Sequence, residues 1–225
     1  MKGISVWNQT VSWLVGGFLL AGWCGCTGGA AGTKAAVAVN PELTLEQRMI
    51  KYQDLLREDP ESLEALYQLG NVYFDMGDYT EALERYRKVL DRDPEHIPAR
   101  ANLAGVLQEM GELKEAIAEY RIVVEKTPDD ARAHSNLGNA LYVSSRPTQA
   151  MDEFRRALEL DPENPHAHYN LGVAFADEGY FEEALVEWRK VMEVAPNSPV
   201  GESAERNIDR IERVRKTYEK KSPND

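Results

Sequence analysis

Proline recurs at a constant interval of 34 residues along most of this 225-residue chain. Leucine, alanine and a bulky aromatic residue recur at the same interval. The four series are Pro94, Pro128, Pro162 and Pro196; Leu69, Leu103, Leu137 and Leu171; Ala82, Ala116, Ala150 and Ala184; and Tyr86, Tyr120, Phe154 and Trp188. A fixed period of this length indicates a stack of similar supersecondary units, because each unit can bury its apolar face only against its neighbours.

Each period contains two consecutive segments in which apolar residues lie three and four positions apart, as in EALYQLGNVYFDMG and YTEALERYRKVL. This spacing predicts two amphipathic helices that pack through their apolar stripes. Gly77, Gly111 and Gly179 follow the first helix, where a left-handed residue ends a helix and glycine adopts it at little cost. The third period has Ser145 there and Pro147 at the start of the next helix, which predicts an altered turn.

This pattern resembles the tetratricopeptide repeat (TPR), in which a bulky residue, Leu-Gly, an aromatic residue, alanine, a second aromatic residue and proline recur. The resemblance implies an all-α fold: a right-handed TPR α-solenoid of helix-turn-helix repeats, whose first helices line a concave groove. Four repeats are predicted, at residues 63–96, 97–130, 131–164 and 165–198. Small residues are expected on each first helix where two backbones approach closely. These are Gly70, Ala104, Gly138 and Gly172.

The segments that flank the four repeats are predicted to be partial repeats. Residues 43–62 look like the second helix of a degenerate half repeat, since Tyr52 and Pro60 lie one period before Tyr86 and Pro94. Residues 199–225 are predicted to form a capping helix and a polar tail, because the segment is mostly polar and its apolar residues fall on one side. Those apolar residues are Ile208, Ile211 and Tyr218.

The N-terminus carries a predicted export signal. After Lys2 no charged residue occurs before Lys34, and the apolar run from Val11 to Trp23 has the length of a signal-peptide core. That run is shorter than the roughly 20 residues needed to span a bilayer. A retained membrane anchor remains the alternative if residues 4–9 also enter the lipid.

Both cysteines of the chain lie just after this apolar run and resemble the lipidation site of bacterial lipoproteins. Cys26 follows Gly25, as that family prefers, although Trp23 stands where leucine is expected; Cys24 is the alternative site. The resemblance implies a lipoprotein-type signal peptide at residues 1–26 and a flexible Gly- and Ala-rich linker at residues 27–42. Cleavage after Ala30 or within residues 35–38 is the other possibility. The expected location is the bacterial cell envelope, membrane-anchored and facing the periplasm or exterior.

The charge balance narrows the class of partner. The net charge is -12 and the pI is near 4.9, which argues against nucleic-acid binding because that affinity depends on Lys and Arg. Protein or peptide partners, among them basic ones, are favoured.

No catalytic constellation is recognisable, so no enzymatic activity and no cofactor are predicted. His134 and His168 occupy the repeat position of Leu66, which predicts packing between helices rather than metal binding. His166 lies two residues from His168 and therefore points to another side of the helix. The many carboxylates are interpreted as solvated faces of amphipathic helices.

The resemblance implies that the partner-binding residues are those of the first helices that face the groove. The predicted groove set is Tyr67, Asn71, Phe74, Asn102, Arg132, Asn136, Asn139, Tyr142, Tyr169 and Asn170. Within it, Asn102, Asn136 and Asn170 form a ladder at one repeat interval. An amide can both donate to and accept from the backbone of an extended peptide. The alternative is that these amides only bridge helices within the stack.

The leading hypothesis is a non-enzymatic envelope protein that binds a peptide or protein partner in its groove as an assembly or scaffolding factor. The first alternative is a self-assembling structural TPR scaffold. A cytosolic co-chaperone-like protein that clamps a C-terminal carboxylate is less favoured. Asn71, Asn102 and Arg132 match that clamp, but Tyr67 and Asn136 stand where its other cations belong.

Overall fold

The computed structural model describes residues 43–221, with side chains up to residue 217. The predicted signal peptide (1–26), the linker (27–42) and both candidate lipidation sites, Cys24 and Cys26, lie outside the described residues. Ten α-helices and no β-strand occur between residues 43 and 221. They are α1 (Leu45–Glu58), α2 (Leu63–Met76), α3 (Tyr79–Arg92), α4 (Ile97–Glu109), α5 (Leu113–Lys126), α6 (Ala131–Val143), α7 (Pro147–Leu160), α8 (Pro165–Asp177), α9 (Phe181–Val194) and α10 (Pro199–Lys221). The predicted all-α architecture of helix-turn-helix repeats is confirmed.

The described residues form two compact units that divide between Lys126 and Thr127. The first unit contains α1 to α5, and the second contains α6 to α10. In each unit every helix packs against the next along the chain. Between residues 43 and 221, no helix is both long and apolar enough to cross a membrane.

A polar side chain caps the start of each first helix at the same repeat position. Ser62, His96, Asn164 and Ser198 each accept a hydrogen bond from the backbone N–H three residues later, and Asp130 accepts one from the N–H of Arg132. These bonds satisfy backbone donors that have no partner inside the helix. The side chains at this position therefore fix where every first helix begins.

The turns inside the repeats follow the sequence prediction. Gly77, Gly111 and Gly179 have φ angles of 80°, 82° and 84°. Ser145 takes the corresponding position in the third repeat with a φ of 60°, and Pro147 is the first residue of α7. The altered turn is thus confirmed: Ser145 adopts the left-handed conformation itself, and proline is tolerated because the first helical turn needs no N–H donor there.

The small residues of the first helices make room for a side chain, and the expected close approach of two backbones is a wrong explanation for them. A Cβ atom on Gly70 would lie 2.7 Å from the ring of Tyr86. The same atom on Gly138 would lie 2.6 Å from Phe154, and on Gly172 2.5 Å from Trp188. The recurring aromatic residue of each second helix therefore lies directly over the first helix of its own repeat.

The two end helices differ in how they meet solvent. In α10, Ile211 is buried and Ile208 packs against the cluster around Trp188, while the other side of the helix exposes Glu205 and Asp209. In α1, Tyr52 is buried against α2. Arg48 of α1 stands one period before Ala82 and pairs with Asp75 of α2 at 3.4 Å. A polar outer face is what an end helix needs, since nothing stacks on it.

Candidate functional site

In the first unit, four predicted groove residues lie on α2 and α4, and three of them share one hydrogen-bond network. Asn71 Oδ1 accepts from the Tyr86 hydroxyl at 2.7 Å and from Asn102 Nδ2 at 2.8 Å. Asn102 Nδ2 also lies 3.3 Å from the Tyr67 hydroxyl. The ring of Tyr67 packs against His96, with 5.1 Å between the ring centroids. The network holds a half-exposed amide and a half-exposed phenol in fixed positions.

Phe74, the fourth predicted residue of this unit, belongs to the packing of the unit. Its ring lies 5.7 Å from that of Tyr79 at the start of α3. It also packs against the apolar cluster that contains Leu66 and Tyr86. Phe74 is half-buried, so it offers a partner less surface than the residue type suggests.

The second unit repeats the amide pair one turn along the stack. Asn170 Nδ2 donates to Asn139 Oδ1 at 2.7 Å, as Asn102 does to Asn71. The Tyr169 hydroxyl accepts from Asn207 of α10 at 3.3 Å. The amides of the ladder therefore do bridge helices within a unit, which was the alternative interpretation. Bridging occupies their donors and does not by itself decide whether they also contact a partner.

Tyr142 is tied to the end of α8. Its hydroxyl donates to Asp177 in a short hydrogen bond. Burial, followed by the hydrogen bond to Asp177 and the charge of that carboxylate, raises the pKa of the Tyr142 hydroxyl well above its ordinary value. Tyr142 is therefore a neutral donor at every physiological pH.

Arg132 and Asn136 lie on α6 and differ in exposure. The Arg132 side chain is 61% exposed, and its Nε lies 3.7 Å from Asp130 at the helix start. Asn136 is half-buried. The structure thus places the predicted residues on first helices in both units, with Arg132 the most accessible charged member.

The two histidines predicted to pack between helices are buried, but they also make polar contacts that the sequence interpretation missed. One ring nitrogen of each lies against a second-helix glutamate, and the other lies against the carbonyl of the preceding proline. The signal was present: Arg100 has the same repeat position, and a glutamate follows 19 residues after all three. In the part of the chain that the structure describes, no three His, Cys, Asp or Glu side chains are grouped as metal ligands would be.

We expect Asn71→Ala to lower the free energy of unfolding by about 2 kcal/mol, because it leaves the Tyr86 hydroxyl and the Asn102 amide without their shared acceptor. Urea denaturation of the full chain measures this loss. Tyr86→Phe is the matched variant, since the third repeat has Phe154 at that position. In the Asn71→Ala background, Tyr86→Phe should cost less than it does alone; equal costs in both backgrounds would show that the bond contributes nothing.

Comparison with known proteins identifies the repeat. Family models described as Tetratricopeptide repeat match residues 51–84, 73–139 and 165–198, and one described as TPR repeat matches residues 146–179. Together they cover more than half of the chain. No curated protein matches the chain as a whole or in part.

Solved structures of three related proteins show the same fold. MamA residues 41 to the end from Desulfovibrio magneticus RS-1 is 28% identical with a TM-score of 0.64, covering 69% of this chain and 88% of that one. A double mutant of MamA from RS-1 is 29% identical with a TM-score of 0.62, covering 67% and 85%. YrrB, titled a TPR protein with an unusual peptide-binding site, is 28% identical with a TM-score of 0.60, covering 72% and 84%.

Proposed function

This chain belongs to the tetratricopeptide repeat family, and we propose that it is a non-enzymatic interaction module that binds a peptide or protein partner on its first helices. The observation that carries the proposal is the fixed amide of Asn102. Within residues 43–126, its Nδ2 group is directed at Asn71 and Tyr67, so its Oδ1 is the atom available to accept from a partner's backbone N–H. An acceptor held in place by neighbouring side chains loses little entropy on binding.

Two further observations support a partner of this kind. The similar protein YrrB is titled as having a peptide-binding site. The net charge of -12 favours partners that carry positive charge, both in encounter and in specificity. A basic extended peptide segment would present backbone N–H groups to the amide oxygens and cationic side chains to the acidic surface.

We also propose that the chain acts at the bacterial cell envelope, tethered to a membrane through its N-terminus. The support is the sequence of residues 1–42: an apolar run, a cysteine after small residues, and a Gly- and Ala-rich segment before the first repeat. Mass spectrometry of the mature N-terminal peptide tests this point. A lipid on Cys26 supports it, and an unprocessed Met1 on a soluble chain contradicts it.

Site-specific photo-crosslinking in the native cell tests the binding function. A photoreactive residue at Asn136 samples the first-helix side of the second unit, and one at Val186 of α9, which is 62% exposed, is the matched control. Capture of one heterologous protein from Asn136 but not from Val186 supports the proposal. Equal capture from both positions, or capture of nothing but its own chain, contradicts it.

With the captured partner in hand, we expect Arg132→Ala to weaken its binding about tenfold, or by about 1.4 kcal/mol. Arg132 is the exposed charged side chain of the predicted set, and an arginine that becomes desolvated in an interface commonly carries much of its affinity. Isothermal titration calorimetry on the full chain measures the change. Val186→Ala should leave the affinity unchanged, and an unchanged affinity in Arg132→Ala as well would place the interface elsewhere.

A self-assembling scaffold is the second candidate, because α1 exposes apolar side chains. Ile50 is 54% exposed and Leu55 is 37% exposed, although Leu55 lies one period before the buried Val89. Light scattering on the full chain over a range of concentrations separates the two functions. Growth in size with concentration that Ile50→Lys abolishes would favour the scaffold.

A further inference from the structure

Three repeats contain the same buried arrangement of a cation, a carbonyl and a glutamate, here called the polar triad. In the second repeat, Arg100 Nη1 donates to Glu119 Oε2 at 2.6 Å and Nη2 donates to the Pro94 carbonyl at 2.7 Å. The proline ends the previous repeat, Arg100 lies in the first helix, and Glu119 lies in the second. The triad therefore ties the connecting loop and both helices together through one side chain.

Histidine replaces arginine in the triads of the third and fourth repeats. His134 Nδ1 lies 2.7 Å from Glu153 Oε2, and His134 Nε2 lies 3.0 Å from the Pro128 carbonyl. The corresponding distances for His168 are 2.6 Å to Glu187 and 2.9 Å to the Pro162 carbonyl. Both rings are buried, with 7% and 9% of the residue exposed.

The partners of each ring fix how many protons the triad holds. A carbonyl oxygen can only accept a hydrogen bond, and so can an ionised carboxylate. A neutral imidazole has a single N–H and can satisfy one of these two acceptors, leaving the other ring nitrogen facing an oxygen lone pair. Both contacts are satisfied when both ring nitrogens are protonated, which makes histidine a cation like Arg100. A buried polar group left without its hydrogen bond is costly, so the proton is retained.

The charged groups around His168 favour this state. Burial is the largest single influence and opposes protonation, but the hydrogen bonds to Glu187 and to the Pro162 carbonyl, with the charge of Glu187, raise the pKa of His168 above its ordinary value. Lys190 of α9 acts in the opposite direction and is itself paired with Glu193.

The other helices packed on α8 hold their nearest charges in contacts of their own. Arg155 of α7 lies over the Phe175 ring, and Arg206 of α10 is directed at Ser203 and Glu202. At the third repeat, α7 supplies Glu153, and Arg156 lies 4.0 Å from Asp129 beside the Pro128 loop.

We propose that His134 and His168 are imidazolium ions in the folded chain, and that they make the second unit a pH-sensitive element that loosens as the pH rises above neutrality. The first unit lacks this response because its triad uses Arg100, which remains charged at every accessible pH. Since α6 and α8 also carry Asn139 and Asn170, the loosening acts on the helices that hold the amide pair.

The sign of the effect follows from the direction of the shift. A histidine pKa that is higher in the folded than in the unfolded chain means that folding takes up protons. The stabilisation is complete below the unfolded value of about 6.5 and is lost as the pH rises through the folded value. Alkaline and not acidic conditions therefore remove it.

Nitrogen-15 NMR of the full chain, labelled at the histidine rings, tests the protonation state directly. We expect both ring nitrogens of His134 and of His168 to be protonated at pH 7, with each signal assigned by its loss in His134→Arg or His168→Arg. Glu187→Gln should convert the His168 ring to the neutral form at a lower pH than in the unchanged chain. A single protonated nitrogen on either ring at pH 7 would overturn the proposal.

Thermal unfolding of the full chain between pH 6 and pH 9 tests the consequence. The unfolding temperature should fall by about 5 °C more in the natural chain than in His134→Arg/His168→Arg, in which arginine can reproduce the Arg100 triad. Arg100→His is the matched gain-of-function control and should add a further alkaline loss. Parallel pH curves for the natural chain and the double arginine variant would contradict the proposal; if that variant does not fold, the ring protonation decides alone.

Discussion

Replacing Trp188 by alanine lowers the free energy of unfolding by about 4 kcal/mol. The side chain is fully buried in the second unit, where it packs with residues of α8, α9 and α10. Its indole N–H donates to the Tyr169 carbonyl at 3.1 Å, and its ring covers Gly172. Alanine leaves a large cavity at the junction of three helices and removes this hydrogen bond. Denaturant unfolding of the full chain, followed by circular dichroism, measures the loss.

Two matched variants identify the cause of that loss. Val186→Ala lies on the same helix at a 62% exposed position and should change the free energy of unfolding by less than about 0.5 kcal/mol. Trp188→Phe should lie between the two, because Phe154 fills the same position over Gly138 in the third repeat without an N–H donor. A loss below about 1 kcal/mol in Trp188→Ala would show that α8, α9 and α10 close over the vacated space.

The helices and their ends were predictable because the chain repeats its own instructions. Periodic apolar residues define two helices per repeat, glycine at the left-handed position ends the first of them, and proline ends the second. Even the irregular third repeat was readable, since Ser145 and Pro147 each allow one specific backbone conformation. Local backbone preference is the information that a single sequence carries most directly.

Contacts between side chains were less predictable, because the period does not tell which atoms face each other. Asn102 recurs every 34 residues, yet its partner Asn71 lies 31 residues earlier, one turn away from the equivalent position. The glycines of the first helices signalled a close contact, but only the structure shows that the contacting group is an aromatic ring. The sequence thus locates the first-helix residues but does not separate those that bind from those that bridge.

The polar triads show how a repeat position can be misread when one residue type is considered alone. His134 and His168 share their position with Leu66, which indicates packing, and with Arg100, which indicates a buried cation. Glutamate follows 19 residues after Arg100, His134 and His168, whereas Arg85 follows Leu66. The two positions change together, and that pairing distinguishes a polar contact from an apolar one.

Replacing Gly201 by alanine should lower the free energy of unfolding by about 3 kcal/mol, although the change adds a single methyl group. Gly201 is buried in the first turn of α10, and a Cβ atom there would overlap the carbonyl oxygens of Ala195 and Pro196. Backbone oxygens cannot rotate away as a side chain can, so α10 itself has to move. The equivalent position one period earlier holds the buried Ala167, which shows that the restriction is specific to the last helix.

Gly179→Ala is the control that separates this steric effect from the loss of glycine's backbone freedom. Gly179 has a φ of 84° and nothing within 4 Å of an added Cβ, so only the left-handed conformation is penalised, by about 1 kcal/mol. If Gly201→Ala costs no more than Gly179→Ala, then α10 shifts without losing its contacts. If it costs more, α10 is displaced from the cluster around Trp188 and Ile211, and the apolar surface uncovered there should make the variant self-associate in light scattering. The natural chain should then remain the smaller species at the same concentration, because α10 covers this apolar surface with a helix whose other face is polar.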